Sequence, residues 1–182
     1  PGGKVRFKEI IENTNKRILS VPVMTQKLVK VPMDMDHPYW VTDGAFDPEF
    51  HIRHIALPKP GDWRQLCILV SRLHARPLDR DRPLWEMYII EGLDNVEGLP
   101  KNCFAIFTKT HHAAVDGTSG MEITAAIHDM SPDYTRAHTA PTIKIDNQPG
   151  ALELILRAQV NNIRKPLNFI SVARNSVPGM AR

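Results

Sequence analysis

The sequence predicts a domain of the α/β class, in which helices and β-strands share one core. The segments Trp85 to Glu91 and Cys103 to Thr110 are rich in the aromatic and β-branched residues that strands favour, so each is predicted to be a strand. If the two strands are neighbours, they pair antiparallel. Segments with the periodicity of helices precede and follow them. At 182 residues the chain is long enough to bury a sizeable core in one domain.

The first part of the chain is predicted to supply the outer elements. Residues 5–19 are expected to form a helix, because their apolar residues fall near one helical face. Residues 26–31 alternate in the manner of a strand. Residues 34–48 are acidic and contain proline and aromatic residues, which predicts a loop with one short strand near Trp40.

Clear boundary signals predict a helix between Asp62 and Ala75. The Asp62 side chain can cap the first turn, and Pro77 ends the helix. The apolar residues recur at i, i+3, i+4 and i+7, so they form one stripe directed to the core: Leu66, Leu69, Val70 and Leu73. A second helix is predicted from Glu122 to about Asp129, because Ser119 and Glu122 have the spacing of a capping box.

The chain is predicted to contain three regions. Residues 1–130 form the main domain, and residues 131–150 form a linker with three prolines and no periodicity. Residues 151–182 form a basic amphipathic helical segment with net charge +4, interrupted by Pro166. The apolar stripe of this segment is Leu152, Ile155, Leu156, Val160 and Ile163. Such a helix packs against a further part of the protein or lies on an anionic lipid surface.

Composition excludes several classes of protein. The net charge is only +3, and no basic patch is interleaved with aromatic residues, so nucleic acid is not an expected partner. The two cysteines offer no disulfide framework, which indicates a reducing compartment. Neither a signal peptide nor an apolar run long enough to span a membrane is visible. The expected location is the cytoplasm, with peripheral membrane association left open.

The clearest chemical signal is the string His111-His112-Ala113-Ala114-Val115-Asp116-Gly117. It follows a predicted strand and precedes a predicted helix. Neutral imidazole can accept a proton near pH 7, so this position suits a general base. If the strand continues to His112, the two imidazoles point to opposite faces and do not share a metal ion. Asp116 could curl back to hold a neighbouring side chain, and Gly117 would permit a tight turn.

The alternative interpretation of this string is a structural turn whose histidines form hydrogen bonds and have no catalytic role. The sequence evidence for other candidate sites is weaker than the evidence for this string. His51 and His54 have a spacing that suits a metal on a helix, but their surroundings are typical of a strand or loop, so a zinc site is not expected. The alternating charges of residues 79–82 predict a solvated or internally paired turn rather than an acid/base pair.

Two motifs together resemble a known family. His-His-x-x-x-Asp-Gly is similar to the signature of acyltransferases that depend on coenzyme A or a carrier and have the chloramphenicol acetyltransferase fold. The string Pro77–Glu86, with Pro83, Leu84 and Trp85 at its end, resembles the segment that carries the Pro-Leu-Trp motif in bacterial wax ester synthase/diacylglycerol acyltransferases. Residues 50–54, before a Leu-Pro-x-Pro-Gly loop, also look like that family. The resemblance runs from about residue 38 to residue 133.

The resemblance implies a fold, a reaction and a set of partners. The fold would be a chloramphenicol acetyltransferase-like domain, an α+β sandwich with a mixed sheet flanked by helices. It would be the N-terminal half of a two-domain enzyme whose reaction centre lies in a tunnel between the halves. The reaction would move a fatty acyl group from acyl-CoA to a long-chain alcohol or a diacylglycerol, forming wax esters or triacylglycerol. No bound cofactor or metal is expected, since acyl-CoA is the substrate. The C-terminal half and a membrane or lipid-droplet surface are the other implied partners.

The resemblance also assigns roles to residues. His112 would be the general base, and His111 would support its geometry. Asp116 and Gly117 would be structural, and the Pro83-Leu84-Trp85 motif would help in substrate binding or architecture. Two alternatives remain open: a condensation-type acyltransferase that uses carrier-bound acyl groups, and a non-catalytic lipid-binding protein that retains the fold.

Overall fold

A computed structural model describes residues 5–115, 117–128 and 148–176, with residues 117–119, 122 and 165–176 described by their backbone only. The helices are α1 (Phe7–Ile18), α2 (Pro48–His51), α3 (Trp63–Ala75), α4 (Gly117–Ile127) and α5 (Ala151–Ser176). The strands are β1 (Gln26–Val29), β2 (Tyr39–Thr42), β3 (Ile52–Ala56), β4 (Trp85–Glu91) and β5 (Ala105–Thr110). The predicted α/β class, with a mixed sheet and helices, is confirmed.

The main sheet has the strand order β3-β4-β5. β4 pairs with β3 in parallel, starting at Ile52 opposite Met87, and with β5 antiparallel, starting at Trp85 opposite Thr110. The antiparallel pairing predicted from the sequence is therefore confirmed. Because β4 is central and covered on both faces, six of its seven residues are buried, which explains its nearly continuous apolar sequence. β1 and β2 form a separate two-stranded sheet.

Alternate residues of β4 enter two different cores. On one face, Tyr88 and Ile90 pack with the stripe of α3 that the sequence predicted, together with Leu57, Leu93 and Val96. On the other face, Trp85, Met87 and Ile89 pack with Ile18 and with partly buried residues of α1 and α4. The second core lies beside the motif that carries the two histidines.

The boundaries of α3 follow from local side-chain chemistry. The Asp62 carboxylate accepts the backbone N–H of Gln65 at 2.8 Å, as a capping residue does. At the other end, the Lys109 ammonium of β5 donates to the Leu73 carbonyl at 3.0 Å and to the Arg76 carbonyl. These carbonyls have no partner within a helix, so the contact ties α3 to the sheet.

The chain separates into two compact units, residues 1–27 with 42–145 and residues 28–41 with 146–182. In the second unit, α5 buries Leu154 and Ala158 against Val31. The Asn161 amide donates to the Asp36 carboxylate and to the Tyr39 hydroxyl, each at 2.8 Å. Most of the predicted linker lies outside the described residues, so the boundaries proposed for the three regions stay predictions.

The structure corrects one expectation about α5 and leaves another untested. The helix continues through Pro166 rather than stopping there. The face that packs within the second unit carries Leu154, Ala158 and Asn161. The apolar stripe predicted from the sequence lies on another face, and its expected packing against a further part of the protein or on lipid stays a prediction. The large residues on the opposite side remain exposed: Leu152, Leu156, Val160 and Ile163.

A further correction concerns α4. The helix begins at Gly117, two residues before Ser119, so Ser119 lies inside its first turn and cannot be the capping residue that was expected. The helix reaches Ile127, close to the predicted end. The capping-box pattern identified a helix correctly but placed its start too late.

Candidate active site

The two sequence motifs meet at one end of the β4–β5 ladder. Trp85 lies opposite Thr110, the residue just before His111. One residue further, the backbone N–H of His111 donates to the Leu84 carbonyl at 2.9 Å. The Pro-Leu-Trp segment is therefore the main-chain partner of the segment that leads into the two histidines, although 26 positions separate them in the sequence.

The chain turns sharply directly after this contact. β5 ends at Thr110, and residues 112–114 form a single 3-10 turn. The His111 ring is fixed by its Nδ1, which accepts the backbone N–H of Ala113 at 3.0 Å. The strand does not continue to His112, so the expectation that the two rings alternate across a strand is wrong. His112 is the first residue of the turn, and it is exposed.

The outer residues of the histidine motif are only partly described. Gly117 is the first residue of α4. Asp116 lies outside the described residues, so its predicted anchoring role stays a prediction. Val115, just before it, has an extended conformation and is half-buried.

The Pro-Leu-Trp segment is buried and rigidly held. Pro83, Leu84 and Trp85 are all buried. The indole N–H of Trp85 donates to the Met24 carbonyl at 2.7 Å, and its backbone N–H donates to the Pro83 carbonyl at 2.9 Å. A buried indole N–H needs such a partner. Trp85 thus contributes to the second core as well as to the cavity beside it.

A cavity of about 160 Å³ lies between the sheet and α4. Its walls are Met24, Trp85 and Met87 on one side, Ile106, Thr108 and Thr110 of β5, and Val115, Ile123, Thr124 and Ile127 on the side of α4. The lining is mainly apolar, and His128 lies at its edge. Thr110 precedes the two histidines and Val115 follows them, so the cavity opens beside the turn that carries His112.

The charged residues around the Pro-Leu-Trp segment are engaged in structure. Arg82 lies 3.8 Å from the Asp79 carboxylate, which confirms the internally paired turn that the sequence indicated. The Glu86 carboxylate accepts the Tyr88 hydroxyl at 2.6 Å and lies 3.8 Å from Arg53. Burial, together with this hydrogen bond, raises the pKa of Tyr88 to about 12. The phenol therefore stays protonated at neutral pH and is not a general base.

His51 is a residue that sequence reasoning placed wrongly. It was expected in a strand or loop, yet it ends the short helix α2 and its side chain is 0% exposed. The ring stacks on Trp85 at 4.5 Å between centroids and on Phe46 at 5.3 Å. Its Nδ1 lies 2.8 Å from the Trp85 carbonyl. No local pattern signals this role, because its partners are far away in sequence.

The protonation state of His51 follows from its burial. Burial lowers the pKa of His51 below its ordinary value of 6.5, and the nearby Arg82 also lowers it. The hydrogen bond to the Trp85 carbonyl and the charges of Glu86 and Asp43 oppose this shift only in part. The neutral ring carries its proton on Nδ1, since a carbonyl can only accept.

This burial predicts a pH dependence of stability. In the unfolded chain His51 takes up a proton near pH 6.5, whereas in the folded protein it does so only at lower pH. The free energy of unfolding should therefore fall as the pH drops below 6.5, by up to about 1.4 kcal/mol per pH unit for this one group. Urea unfolding at pH 7.5, 6.5 and 5.5 measures it. His51→Asn should flatten this dependence, and equal slopes in both proteins would contradict the prediction.

The whole chain, residues 1–182, matches the model of the wax ester synthase/diacylglycerol acyltransferase catalytic domain. The chain belongs to this family. The family suggested by the two sequence motifs is therefore confirmed.

Similar proteins come from two bacterial groups. A probable diacylglycerol O-acyltransferase, tgs3, of Mycobacterium tuberculosis is 33% identical over 99% of this chain and 64% of its own length. A putative diacylglycerol O-acyltransferase of the same species is 38% identical over 100% of this chain and 34% of its own length. The solved wax ester synthase/diacylglycerol acyltransferase from Marinobacter aquaeolei VT8 is 33% identical, with a TM-score of 0.53 over 78% of this chain and 33% of that one.

The chain thus spans between 33% and 64% of the length of these three relatives. Among the residues described in the structure, no three His, Cys, Asp or Glu side chains are grouped so as to hold a metal ion. The expectation that the enzyme works without a bound cofactor stays a prediction.

Proposed function

We propose that the complete protein transfers a fatty acyl group from acyl-CoA to the hydroxyl of a long-chain alcohol or a diacylglycerol. The observation that carries this proposal is the β4–β5 ladder, which joins the Pro-Leu-Trp and His-His segments by the bond from His111 to Leu84. Membership of the family supports the class of reaction. The apolar cavity beside the turn supports a substrate with an alkyl chain.

His112 is proposed as the general base. Its exposed imidazole accepts the proton of the acceptor hydroxyl while the hydroxyl oxygen attacks the thioester carbonyl. The new C–O bond forms, the C–S bond breaks, and the proton passes from His112 to the departing thiolate. Positioned proton transfer of this kind contributes roughly 10²–10⁴-fold in rate. Holding two apolar substrates in one place and excluding water supplies much of the rest.

The neighbouring residues are proposed to position this base. His111 fixes the start of the turn through its contacts with Leu84 and Ala113. Gly117 starts the helix that closes the motif, and Asp116 is assigned an anchoring role by the family motif. Pro83, Leu84 and Trp85 are proposed to act through architecture, with Trp85 also contributing to the wall of the cavity.

The cavity is proposed to receive part of an alkyl chain. Sites that hold a whole drug-sized ligand measure roughly 300–1,000 Å³, so a cavity of this size suits only a portion of a long chain. Each methylene buried there contributes about 0.8 kcal/mol, which is about a fourfold change in affinity. The length of chain that fits should therefore show in the specificity of the enzyme.

Filling the cavity should shift chain-length preference. Thr108 lies on its wall and is exposed on β5, where an aromatic residue is compatible with a strand. Thr108→Trp is expected to lower kcat/KM for the longest substrates by about tenfold or more, because two or more methylenes lose their site. Thr108→Val, of the same size, is the control. Chain-length profiles of acyl-CoA and alcohol measure the shift, and an unchanged profile in the tryptophan variant would exclude this cavity as the chain site.

The experiment that tests the function measures thiol release from palmitoyl-CoA by the complete protein. It is run with hexadecanol, with a diacylglycerol and with neither. Release that depends on an acceptor, with the matching ester as product, supports the proposal, and the better acceptor identifies the main product. Absence of release with either acceptor would favour a carrier-dependent enzyme or a non-catalytic protein.

The exposed stripe of α5 is proposed to be covered by the rest of a longer polypeptide. The four large aliphatic residues lie opposite the face that packs on residues 29–39, and the relatives extend well beyond the length of this chain. In the parts of the chain described by the structure, no helix is long and apolar enough to cross a membrane. Peripheral contact of this stripe with lipid is the competing proposal.

Leu156 distinguishes these two partners. It is 58% exposed within this chain, where truncation of a surface residue changes the free energy of unfolding by no more than about 0.5 kcal/mol. If the remainder of the protein covers Leu156, Leu156→Ala should cost about 2–5 kcal/mol in the complete polypeptide. Urea unfolding measures this. A variant of unchanged stability that has lost sedimentation with anionic vesicles would instead assign the stripe to lipid.

A further inference from the structure

A buried histidine outside both motifs holds the main chain on which they meet. His51 ends α2, and its ring stacks on both Phe46 and Trp85, with interplanar angles of 22° and 21°. Phe50 closes the edge, with its centroid at 5.1 Å. Phe46 and Trp85 also lie 6.4 Å from each other. A buried ring packed against three aromatic side chains has little freedom to rotate, so the direction of its Nδ1 is fixed.

The Nδ1–H of His51 supplies a hydrogen bond that β3 does not. β3 begins at Ile52, which lies opposite Met87, so the parallel ladder starts two residues after Trp85. Carbonyls alternate sides along a strand, and the Leu84 carbonyl is directed to His111 of the segment after β5. The Trp85 carbonyl is therefore on the β3 side, where the imidazole of His51 takes the place of a backbone donor at 2.8 Å.

The start of β4 is consequently held from both sides. On one side His51 holds the Trp85 carbonyl, and on the other the Leu84 carbonyl holds His111. His112 follows immediately on the 3-10 turn, whose form depends on His111. If the Trp85 peptide moved, His112 would move with it, because these two hydrogen bonds connect them.

The second ring nitrogen of His51 indicates that the hydrogen bond at Nδ1, and not stacking alone, requires a histidine at this position. Nε2 is buried and has no hydrogen-bond partner among the described residues. Buried polar atoms without partners are rare and costly, so a phenylalanine would serve better if the position required only stacking. The donor at Nδ1 is the property that distinguishes histidine here.

We propose that His51 is a positioning residue for acyl transfer, which sets the Trp85 main chain and thereby the turn that carries His112. This inference rests on the proposed function of His112. His51 does not touch the reacting atoms, so its loss should reduce turnover while leaving substrate binding intact.

Two amide variants of the complete protein test the inference. In His51→Asn the amide nitrogen can occupy the place of Nδ1 and donate to the Trp85 carbonyl. In His51→Gln the amide lies one carbon further out, near the place of Nε2, and cannot reach that carbonyl in the same way. Both variants have the same functional group, so burial of an amide is matched between them. His51→Phe keeps the stack but has no donor.

The measurements are kcat and KM for palmitoyl-CoA with the better acceptor, expressed per folded molecule after urea unfolding has given the folded fraction. We expect kcat within about threefold of wild type for His51→Asn, and about a tenfold loss for His51→Gln and His51→Phe, with KM changed less than twofold. Equal kcat in the Asn and Gln variants, or losses that track only the folded fraction, would overturn the positioning role. Should wild type itself show no acceptor-dependent release, the proposed function of His112 fails instead.

Discussion

Replacing His112 with alanine is expected to lower kcat for acceptor-dependent acyl transfer by about 10²–10⁴-fold. The imidazole is the group proposed to take the proton of the acceptor hydroxyl and to return it to the thiolate. Without it, the hydroxyl must attack while still protonated, and KM should change little because the ring is not part of the cavity wall. Thiol release from palmitoyl-CoA with a saturating acceptor measures the loss.

The control for this substitution is another exposed histidine. His74 lies in the last turn of α3 and belongs to neither motif, and His74→Ala should retain full activity. Because His112 is exposed, His112→Ala should change the free energy of unfolding by no more than about 0.5 kcal/mol. A folded His112→Ala protein that turns over at the rate of wild type would remove His112 as the base.

The elements predicted correctly from the sequence are those whose signals are local. α3 has a capping aspartate, a regular apolar stripe and a terminating proline, and its observed bounds agree with the prediction to within one residue. β4 was predicted at its observed bounds, since a short run of aromatic and β-branched residues between turns leaves little choice. That the two motifs lie close together could be inferred only approximately, from the predicted antiparallel pairing of β4 and β5.

The failures have a common physical cause, which is tertiary contact. The apolar pattern of α5 does not reveal that Ala158 and Asn161 make the contacts within the second unit. His51 gains its role from Trp85, which is 34 positions away. Before a short strand, no local property of the sequence distinguishes a buried histidine that holds the main chain from a histidine on the surface.

Gly61 is the position at which we expect the addition of a single methyl group to destabilise the fold most. It ends the Leu-Pro-x-Pro-Gly loop before α3, with φ at +72°. A Cβ there would lie 2.0 Å from the carbonyl oxygen of Gly92, the residue after β4. The Gly61 carbonyl also accepts the backbone N–H of Asn95 at 3.2 Å. Both sides of this contact are backbone, so neither can yield by rotating a side chain.

Gly61→Ala is therefore expected to lower the free energy of unfolding by about 3–5 kcal/mol. The left-handed conformation alone accounts for about 1–2 kcal/mol with any side chain that has a Cβ. The remainder comes from separating the loop from the end of β4, which breaks the hydrogen bond between the Asn95 N–H and the Gly61 carbonyl. Few single substitutions reach this size, and those that do act through a named clash of this kind.

Gly98 supplies the matched comparison. Its φ is +84°, similar to that of Gly61, but a Cβ there would have nothing within 4 Å. Gly98→Ala should thus show the conformational cost alone, about 1–2 kcal/mol. The difference between the two variants in urea unfolding isolates the clash with Gly92. If both substitutions cost the same, the loop and the end of β4 are not packed as closely as the structure has them, and the anchoring of α3 by this loop is wrong.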